Sequence, residues 1–205
     1  MLYVPSTRNA RIAYKKLEKI ALKVGYGKVD YKILSRMLNR EFKSMKVRFR
    51  FKRVDGLDDY ISATGYYIPP HFGDDHRYEV QVFYGGKTQK LRRKFYTEIY
   101  FILVHEFRHG YQYRARKFRH RRPPDKSFLH ASKPFQEEIR YLMDYDEIDA
   151  YAMEIAESRR MGCELVYRQA NYQVYKDTIP KMTKPWKKLM KKIYKYSGGI
   201  KSCYL

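Results

Sequence analysis

The spacing of hydrophobic residues predicts two helices followed by three strands in the first 85 residues. Apolar residues recur at helical spacing over residues 8–24, where Gly25 ends the pattern, and over residues 30–45, where Asp30 is suited to be the N-cap. The hydrophobic period then changes to two. Segments typical of short strands, each bounded by turn-forming residues, cover 46–54, 60–68 and 77–85. Three short strands in succession predict a small antiparallel sheet.

The rest of the chain is predicted to be mainly helical. A long helix is expected from about Thr88 to Lys117, because no Pro interrupts this stretch, and it contains the apolar run "IYFILV". After two prolines, a second long helix is expected from about Pro134 to Met161. Shorter helices are expected over 163–177 and after Pro185. The pattern is that of an α+β domain over residues 1–180, followed by a basic C-terminal tail over 181–205.

The charge of the chain changes this picture, because it predicts a polyanionic partner. The 205 residues include 44 Lys and Arg against 22 acids, a net charge of +22. Such a surface favours DNA or RNA, bound by non-specific electrostatics, although a solvated charged surface is the simpler alternative. The residues expected to contact nucleic acid lie in two basic segments and are Arg114, Arg116, Lys117, Arg119, Arg121, Arg122, Lys187, Lys188, Lys191 and Lys192.

The cysteine content and the N-terminus indicate where the protein works. Cys163 and Cys203 do not have metal-binding spacing and are too few for a disulfide framework, so a reducing compartment is expected. The N-terminus lacks the apolar core of a signal peptide, and the most apolar run is too short to span a bilayer. We therefore expect a cytoplasmic protein, or one packaged in a virus particle, with no transmembrane segment.

The segment "VHEFRH" (104–109) carries the main candidate chemistry. His105 and His109 are four residues apart, so on a helix they share a face and can bind one metal ion together. Glu106 is rotated away from that face, but it can still reach a water bound to the metal and act as its general base. The alternative is a pair of buried structural histidines, with Glu106 paired to a neighbour such as Arg108.

A third protein ligand is needed for a catalytic zinc ion. The metzincin pattern is excluded, because it requires Gly and His where this chain has Gln112 and Ala115. His120 and His130 are available, but His120 lies in a basic segment that repels a cation. Eight of the 22 acids fall between residues 134 and 161, so the acidic helix is the better source of the ligand.

These motifs resemble those of the gluzincin zinc peptidases. "VHEFRH" followed about forty residues later by Glu-x-x-Ala is similar to the compact M48-like and ImmA/IrrE-type peptidases and to small metallopeptidase-like proteins of phages. The resemblance puts the third ligand of a single Zn²⁺ at Glu147 and the small residue at Ala150. In the family, an acid at the next position commonly supports a histidine ligand, but this chain has Tyr151 there. Asp149, Asp146 or Glu154 would have to take over that support.

The resemblance also implies a compact zincin-like domain, with N-terminal helices, a small sheet beside the HExxH helix and a second long helix carrying the third ligand. The substrate peptide would pair with an edge strand, here residues 77–84. A Tyr or His would stabilise the oxyanion that forms when the peptide carbonyl is attacked. Candidates for that oxyanion role are Tyr151, Tyr145, His130 and His71, and those for an oxyanion or supporting role include Asp149 and Glu154.

The function implied is a zinc-dependent peptidase that acts on a protein or peptide substrate through a metal-bound water, with Glu106 as general base and a basic nucleic-acid-binding surface. The intact Glu106 favours this reading. The alternative is a catalytically silent protein on the same fold, acting as a nucleic-acid-binding or structural protein, for example in a phage particle. Tyr151 and the net charge favour that alternative. A metal-dependent hydrolase of another substrate is a third hypothesis.

Overall fold

A computed structural model describes the structure of residues 7–25, 28–55, 61–70, 76–85, 88–90, 93–116, 144–161 and 184–197. The helix predicted over 163–177 lies outside the described residues, and so do residues 134–143 of the predicted second long helix. The chain divides into two compact units, one formed by residues 5–110 and the other mainly by residues 111–205. We call them the N-terminal and C-terminal units.

The described elements form an α+β protein, as the sequence predicts. The described helices are α1 (Arg8–Val24), α2 (Tyr31–Phe42), α3 (Arg93–Ala115), α4 (Tyr145–Arg160) and α5 (Lys184–Tyr196). The described strands are β1 (Lys28–Asp30), β2 (Val47–Arg53), β3 (Ile61–Ile68), β4 (Arg77–Tyr84) and β5 (Thr88–Lys90). A single 3₁₀ turn (Lys43–Met45) follows α2.

Helix α1 begins and ends where the sequence predicts, whereas α2 begins after its predicted cap but ends at Phe42, because residues 43–45 form a 3₁₀ turn instead of the last part of the predicted helix. The Thr7 side chain accepts a hydrogen bond from the Ala10 amide at the start of α1, and Asp30 accepts one from the Lys32 amide at the start of α2. Gly25 ends α1 with a positive φ of 73°, which costs glycine little because it has no Cβ. Local sequence therefore determines α1 and the start of α2.

The three predicted strands are present, but they do not form an all-antiparallel sheet. Their order is β2-β4-β3, with β4 antiparallel to β3 and parallel to β2. The prediction of an antiparallel sheet is therefore wrong for one of the two pairings. Tyr78, Val80 and Val82 of β4 are all buried, so this apolar strand takes the central place. Strand β2 exposes every second residue at its start and lies at an edge of the sheet that the described strands form.

This order also corrects the assignment of the substrate-binding edge. The strand expected to be at an edge, residues 77–84, is the central strand β4 and has a neighbour on each side. Among the described strands, the edges of this sheet are β2 and β3.

A second, two-stranded sheet was not predicted. Strands β1 and β5 pair antiparallel, with Val29 opposite Gln89. Strand β5 occupies residues that the sequence assigned to the long helix, so α3 begins at Arg93 instead of near Thr88. Strands of three residues are too short for a hydrophobic period to be visible.

Helix α3 lies in the core of the N-terminal unit, as its apolar run predicts. Ile99, Phe101 and Leu103 are completely buried. The ring of Tyr100 packs edge-on against Tyr14 of α1, with centroids 5.5 Å apart. The same core extends to the sheet, where the ring of Tyr78 packs edge-on against Phe107 at 4.9 Å. The HExxH segment is thus part of a packed helix.

The C-terminal unit is built around the pairing of α4 and α5. Side chains of both helices form one apolar cluster, made of Ile148, Ala152, Ile155, Leu189 and Ile193. Asp144 caps α4 by accepting a hydrogen bond from the Asp146 amide. The described part of the basic tail is therefore a packed helix. None of the described helices combines the length and apolar character that a membrane span requires.

Candidate metal centre

The two histidines of the HExxH segment converge on one point. The Nε2 atoms of His105 and His109 lie 3.0 Å apart, and their ring planes are 72° from parallel. Two nitrogen ligands of one tetrahedral zinc ion lie about 3.3 Å apart, given Zn–N bonds of ~2.0–2.1 Å. Without a metal, the same distance requires one ring nitrogen to donate a hydrogen bond and the other to accept it. The geometry therefore suits two ligands of one ion.

Glu147, the third predicted ligand, belongs to the same group. His105, His109 and Glu147 each offer one ligand atom, and these atoms lie within 4.8 Å of one another. Two imidazoles and one carboxylate are a donor set that suits a transition metal and matches catalytic zinc sites. The three residues could therefore hold a metal ion. Glu147 lies in the first turn of α4, and both histidines lie on α3.

Gln112 ties the start of α4 to the last turns of α3. Its side-chain amide is buried and donates hydrogen bonds to the backbone carbonyl of Asp146 and to the carboxylate of Asp149, both at 2.9 Å. Arg116, one turn further along, forms an ion pair with the Asp146 carboxylate. These contacts lie on both sides of Glu147 in the sequence, so they define the local position of its backbone. Sequence reasoning used Gln112 only to exclude the metzincin pattern and missed this role.

The candidate base Glu106 is buried against strand β3. A Cβ atom built on Gly65 would lie 2.8 Å from Cγ of Glu106, 2.9 Å from its Oε1 and 2.4 Å from a methyl group of Ile102. These distances are far below van der Waals contact, so only glycine at position 65 allows the strand to approach the Glu106 side chain. Sequence reasoning did not identify Gly65, although a lone glycine inside a strand is a signal of close approach.

Asp149 is the most fully described of the predicted supporting residues. Its carboxylate is buried and accepts hydrogen bonds from Gln112, from the Lys192 ammonium group and from the Tyr196 hydroxyl at 2.5 Å. Asp149 thus connects the last turn of α3 with α4 and α5. In addition to any influence on the ligands, it holds α5 against α4.

The other described candidates for oxyanion or supporting roles are distributed along α4. Tyr145 and Tyr151 pack against the apolar cluster shared by α4 and α5. Glu154 is buried on the same helix. His71 and His130 lie outside the described residues. These positions do not single out one residue for the oxyanion.

The residues expected to contact nucleic acid differ in their surroundings. Lys117, Arg119, Arg121 and Arg122 lie outside the described residues. Arg114, Lys187 and Lys191 are exposed. The remaining three make contacts within the C-terminal unit: Arg116 with Asp146, Lys188 over the ring of Tyr145, and Lys192 with Asp149. Half of the described set is therefore already involved in intramolecular contacts.

Comparisons of the chain with protein families, with curated proteins and with solved structures found no match. The function is therefore inferred from the geometry and chemistry of the side chains described above.

Proposed function

We propose that the protein is a zinc-dependent peptidase. The observation that carries this proposal is the grouping of His105, His109 and Glu147 around one point, with Glu106 next to the first ligand in sequence. A zinc ion held by these three residues would polarise a peptide carbonyl and make a bound water more acidic. Proton transfer and substrate binding would be carried out by the protein itself.

Glu106 is suited to move the proton. It follows His105 directly on α3, and its side chain is buried against β3. In the proposed reaction Glu106 accepts a proton from the attacking water and later delivers it to the leaving amine. A protein that used the metal only for stability would have no need of this carboxylate.

The substrate would bind along β3. Among the described strands β3 has a neighbour on one side only, so its other edge can pair with an extended peptide. Gly65 lies in the middle of β3 and directly against Glu106. Peptide bonds paired along this edge would pass close to the proposed base. We thus propose that the substrate peptide pairs with residues 61–68, and not with strand 77–84, which is central in the sheet.

The competing proposal is a catalytically silent protein of the same fold. It is favoured by Tyr151, which stands where the gluzincin pattern has an acid and packs against the apolar cluster of α4 and α5. In that case the metal would serve stability, and the protein would act as a nucleic-acid-binding or structural protein.

The substitution Glu106→Gln tests the proposed function. We expect hydrolysis of a fluorescently labelled unfolded casein to fall by about 10²–10⁴-fold, because general-base catalysis is lost. Zinc content measured by elemental analysis should stay near that of the wild type, since Glu106 is not a ligand. Glu98→Gln, on the same helix, is the matched control and should keep its activity. Wild-type protein that holds zinc but never cleaves the substrate would support the silent alternative.

A further inference from the structure

The N-terminal unit carries a second feature that the metal centre does not involve, a basic depression beside the end of α2. It consists of two adjoining open hollows, of about 710 and 420 Å³, which share Lys43 and Lys46 on their walls. Five exposed cations of the described residues border it, namely Arg40, Lys43, Lys46, Arg48 and Arg77. None of these five residues was among those expected to contact nucleic acid.

Among the described residues, Glu41 is the acid on the wall of the depression, and it does little to reduce the positive charge there. The Glu41 carboxylate binds the ammonium group of Lys19, which is not a lining residue, at 3.1 Å. The hydrogen bond from Lys19 lowers the pKa of Glu41, so this carboxylate remains ionised and paired. The Lys16 ammonium group also donates to the Glu41 backbone carbonyl. The field in the depression is therefore positive.

The backbone that carries these cations is held in place by hydrogen bonds. The Asn39 side chain donates to the carbonyl of Phe49 and accepts from its amide, at 3.0 and 2.9 Å, and so joins α2 to β2. Lys46 has a left-handed φ of 56°, and its carbonyl accepts a hydrogen bond from the Tyr78 amide. The cations thus project from the end of α2, from the turn that follows it and from two paired strands, which keeps their spacing constant.

We propose that the basic depression is a binding site for the phosphate backbone of a nucleic acid. A duplex carries one negative charge per ~1.7 Å of its length, and such closely spaced charges suit five cations gathered on one surface. An open depression fits a long polymer better than an enclosed cavity, and charge contacts of this kind do not read base sequence. The proposal does not rest on peptidase activity, because no residue of the metal group takes part in it.

Fluorescence anisotropy with a labelled random-sequence DNA duplex of about 20 base pairs tests the proposal. The test variant is Lys43→Gln/Arg48→Gln/Arg77→Gln. The matched control is Arg11→Gln/Lys15→Gln/Lys32→Gln, which removes three exposed charges of the same unit outside the depression. Both variants have the same net charge. A difference in their DNA affinity therefore depends on where the charges were removed and not on the total charge.

We expect the test variant to bind the duplex at least about tenfold more weakly, and the control to stay within about twofold of the wild type. The slope of log K against log salt should become shallower by roughly 2–3 in the test variant, because each lost phosphate contact contributes about 0.9. Equal losses in the two variants, or unchanged binding by the test variant, would overturn the proposal.

Two further measurements distinguish a nucleic-acid site in the depression from a site for acidic proteins and from binding at the metal centre. A poly-glutamate peptide should displace the duplex poorly, and a depression that preferred the peptide over DNA would be a site for acidic proteins, against the proposal. Glu106→Gln and removal of zinc by a chelator should leave DNA affinity unchanged. Loss of binding on either treatment would place the DNA site at the metal centre instead.

Discussion

Helices α3 and α4 carry the candidate metal ligands, and both are buried around most of their circumference, but they are buried by different kinds of residue. The buried residues of α3 are mostly large and apolar, such as Ile99, Phe101 and Leu103. Those of α4 combine small residues such as Ala152 with acids, of which Asp149 is one. Glu154 and Glu157 are also buried on α4.

This difference separates two ways of holding a ligand in position. Apolar burial is non-directional, so the position of α3 depends on many neighbouring side chains together. A buried carboxylate must instead have specific hydrogen-bond partners, and Asp149 has them in Gln112, Lys192 and Tyr196. We therefore expect α3 to depend on side-chain volume and α4 to depend on individual polar groups.

The largest expected effect is the loss of a core side chain from α3. Phe101→Ala should reduce the free energy of unfolding by about 3–5 kcal/mol, because it leaves a cavity in a completely buried site. Urea denaturation measures this. The control is Leu22→Ala at an 80% exposed position of α1, where a change within about 0.5 kcal/mol is expected. A cost below about 1 kcal/mol for Phe101→Ala would contradict the role given to apolar packing.

Next in size is the removal of the ligand on α4. Glu147→Ala should lower zinc affinity at least about 100-fold, since even residues that only support a ligand commonly account for 10–100-fold. Competition with a coloured chelator measures the affinity. The exposed acid Glu18 provides the control, and Glu18→Ala should bind zinc like the wild type. Unchanged affinity in Glu147→Ala would mean that Glu147 is not the third ligand.

A smaller effect is expected when α4 loses the charge of Asp149. Asp149→Asn keeps the shape of the side chain but leaves the Lys192 ammonium group without its carboxylate, at a cost of about 1.5–3 kcal/mol. A double-mutant cycle with Lys192→Met tests the origin of this cost. Lys192→Met should destabilise the Asp149→Asn variant less than the wild type. If the two substitutions had additive effects on the free energy of unfolding, the Asp149–Lys192 pair would contribute nothing to stability. The proposed contrast between α3 and α4 would then be wrong.

The smallest effect is expected for an exposed ion pair outside both helices. The hydrogen bond from Lys19 lowers the pKa of Glu41, so the folded protein binds this proton more weakly than the unfolded chain does. Glu41 therefore stabilises the fold above its ordinary pKa of 4.5, and this stabilisation is lost as the pH falls through the lowered value. Lys19 is 54% exposed, so the contribution should stay below about 1 kcal/mol.

Urea denaturation of the wild type and Glu41→Gln at pH 7 and pH 3 measures this contribution. The variant should be less stable at pH 7, and the difference should shrink at pH 3. A difference that grows as the pH falls would contradict the lowered pKa of Glu41. Lys15→Gln, at an exposed position of the same helix as Lys19, serves as a control for the loss of one surface charge.

The sequence by itself determined what depends on neighbours along the chain. The bounds of α1 and the start of α2 follow from their caps and apolar spacing, and the three strands β2, β3 and β4 lie where the alternation predicts. The pairing of His105 with His109 also follows from local geometry, because residues four apart share a helix face. Glu147 was reached by a resemblance in its motif, and the structure groups it with the two histidines.

Only the tertiary structure decided which distant segments meet. It placed β4 in the centre of the sheet, set Gly65 against Glu106 and gave Asp149 partners 37 to 47 residues away. It also separated basic residues that bind acids of the protein from those that border an open depression. A hydrophobic pattern reports which face of an element is buried, but the choice of neighbour depends on the packing of the whole core.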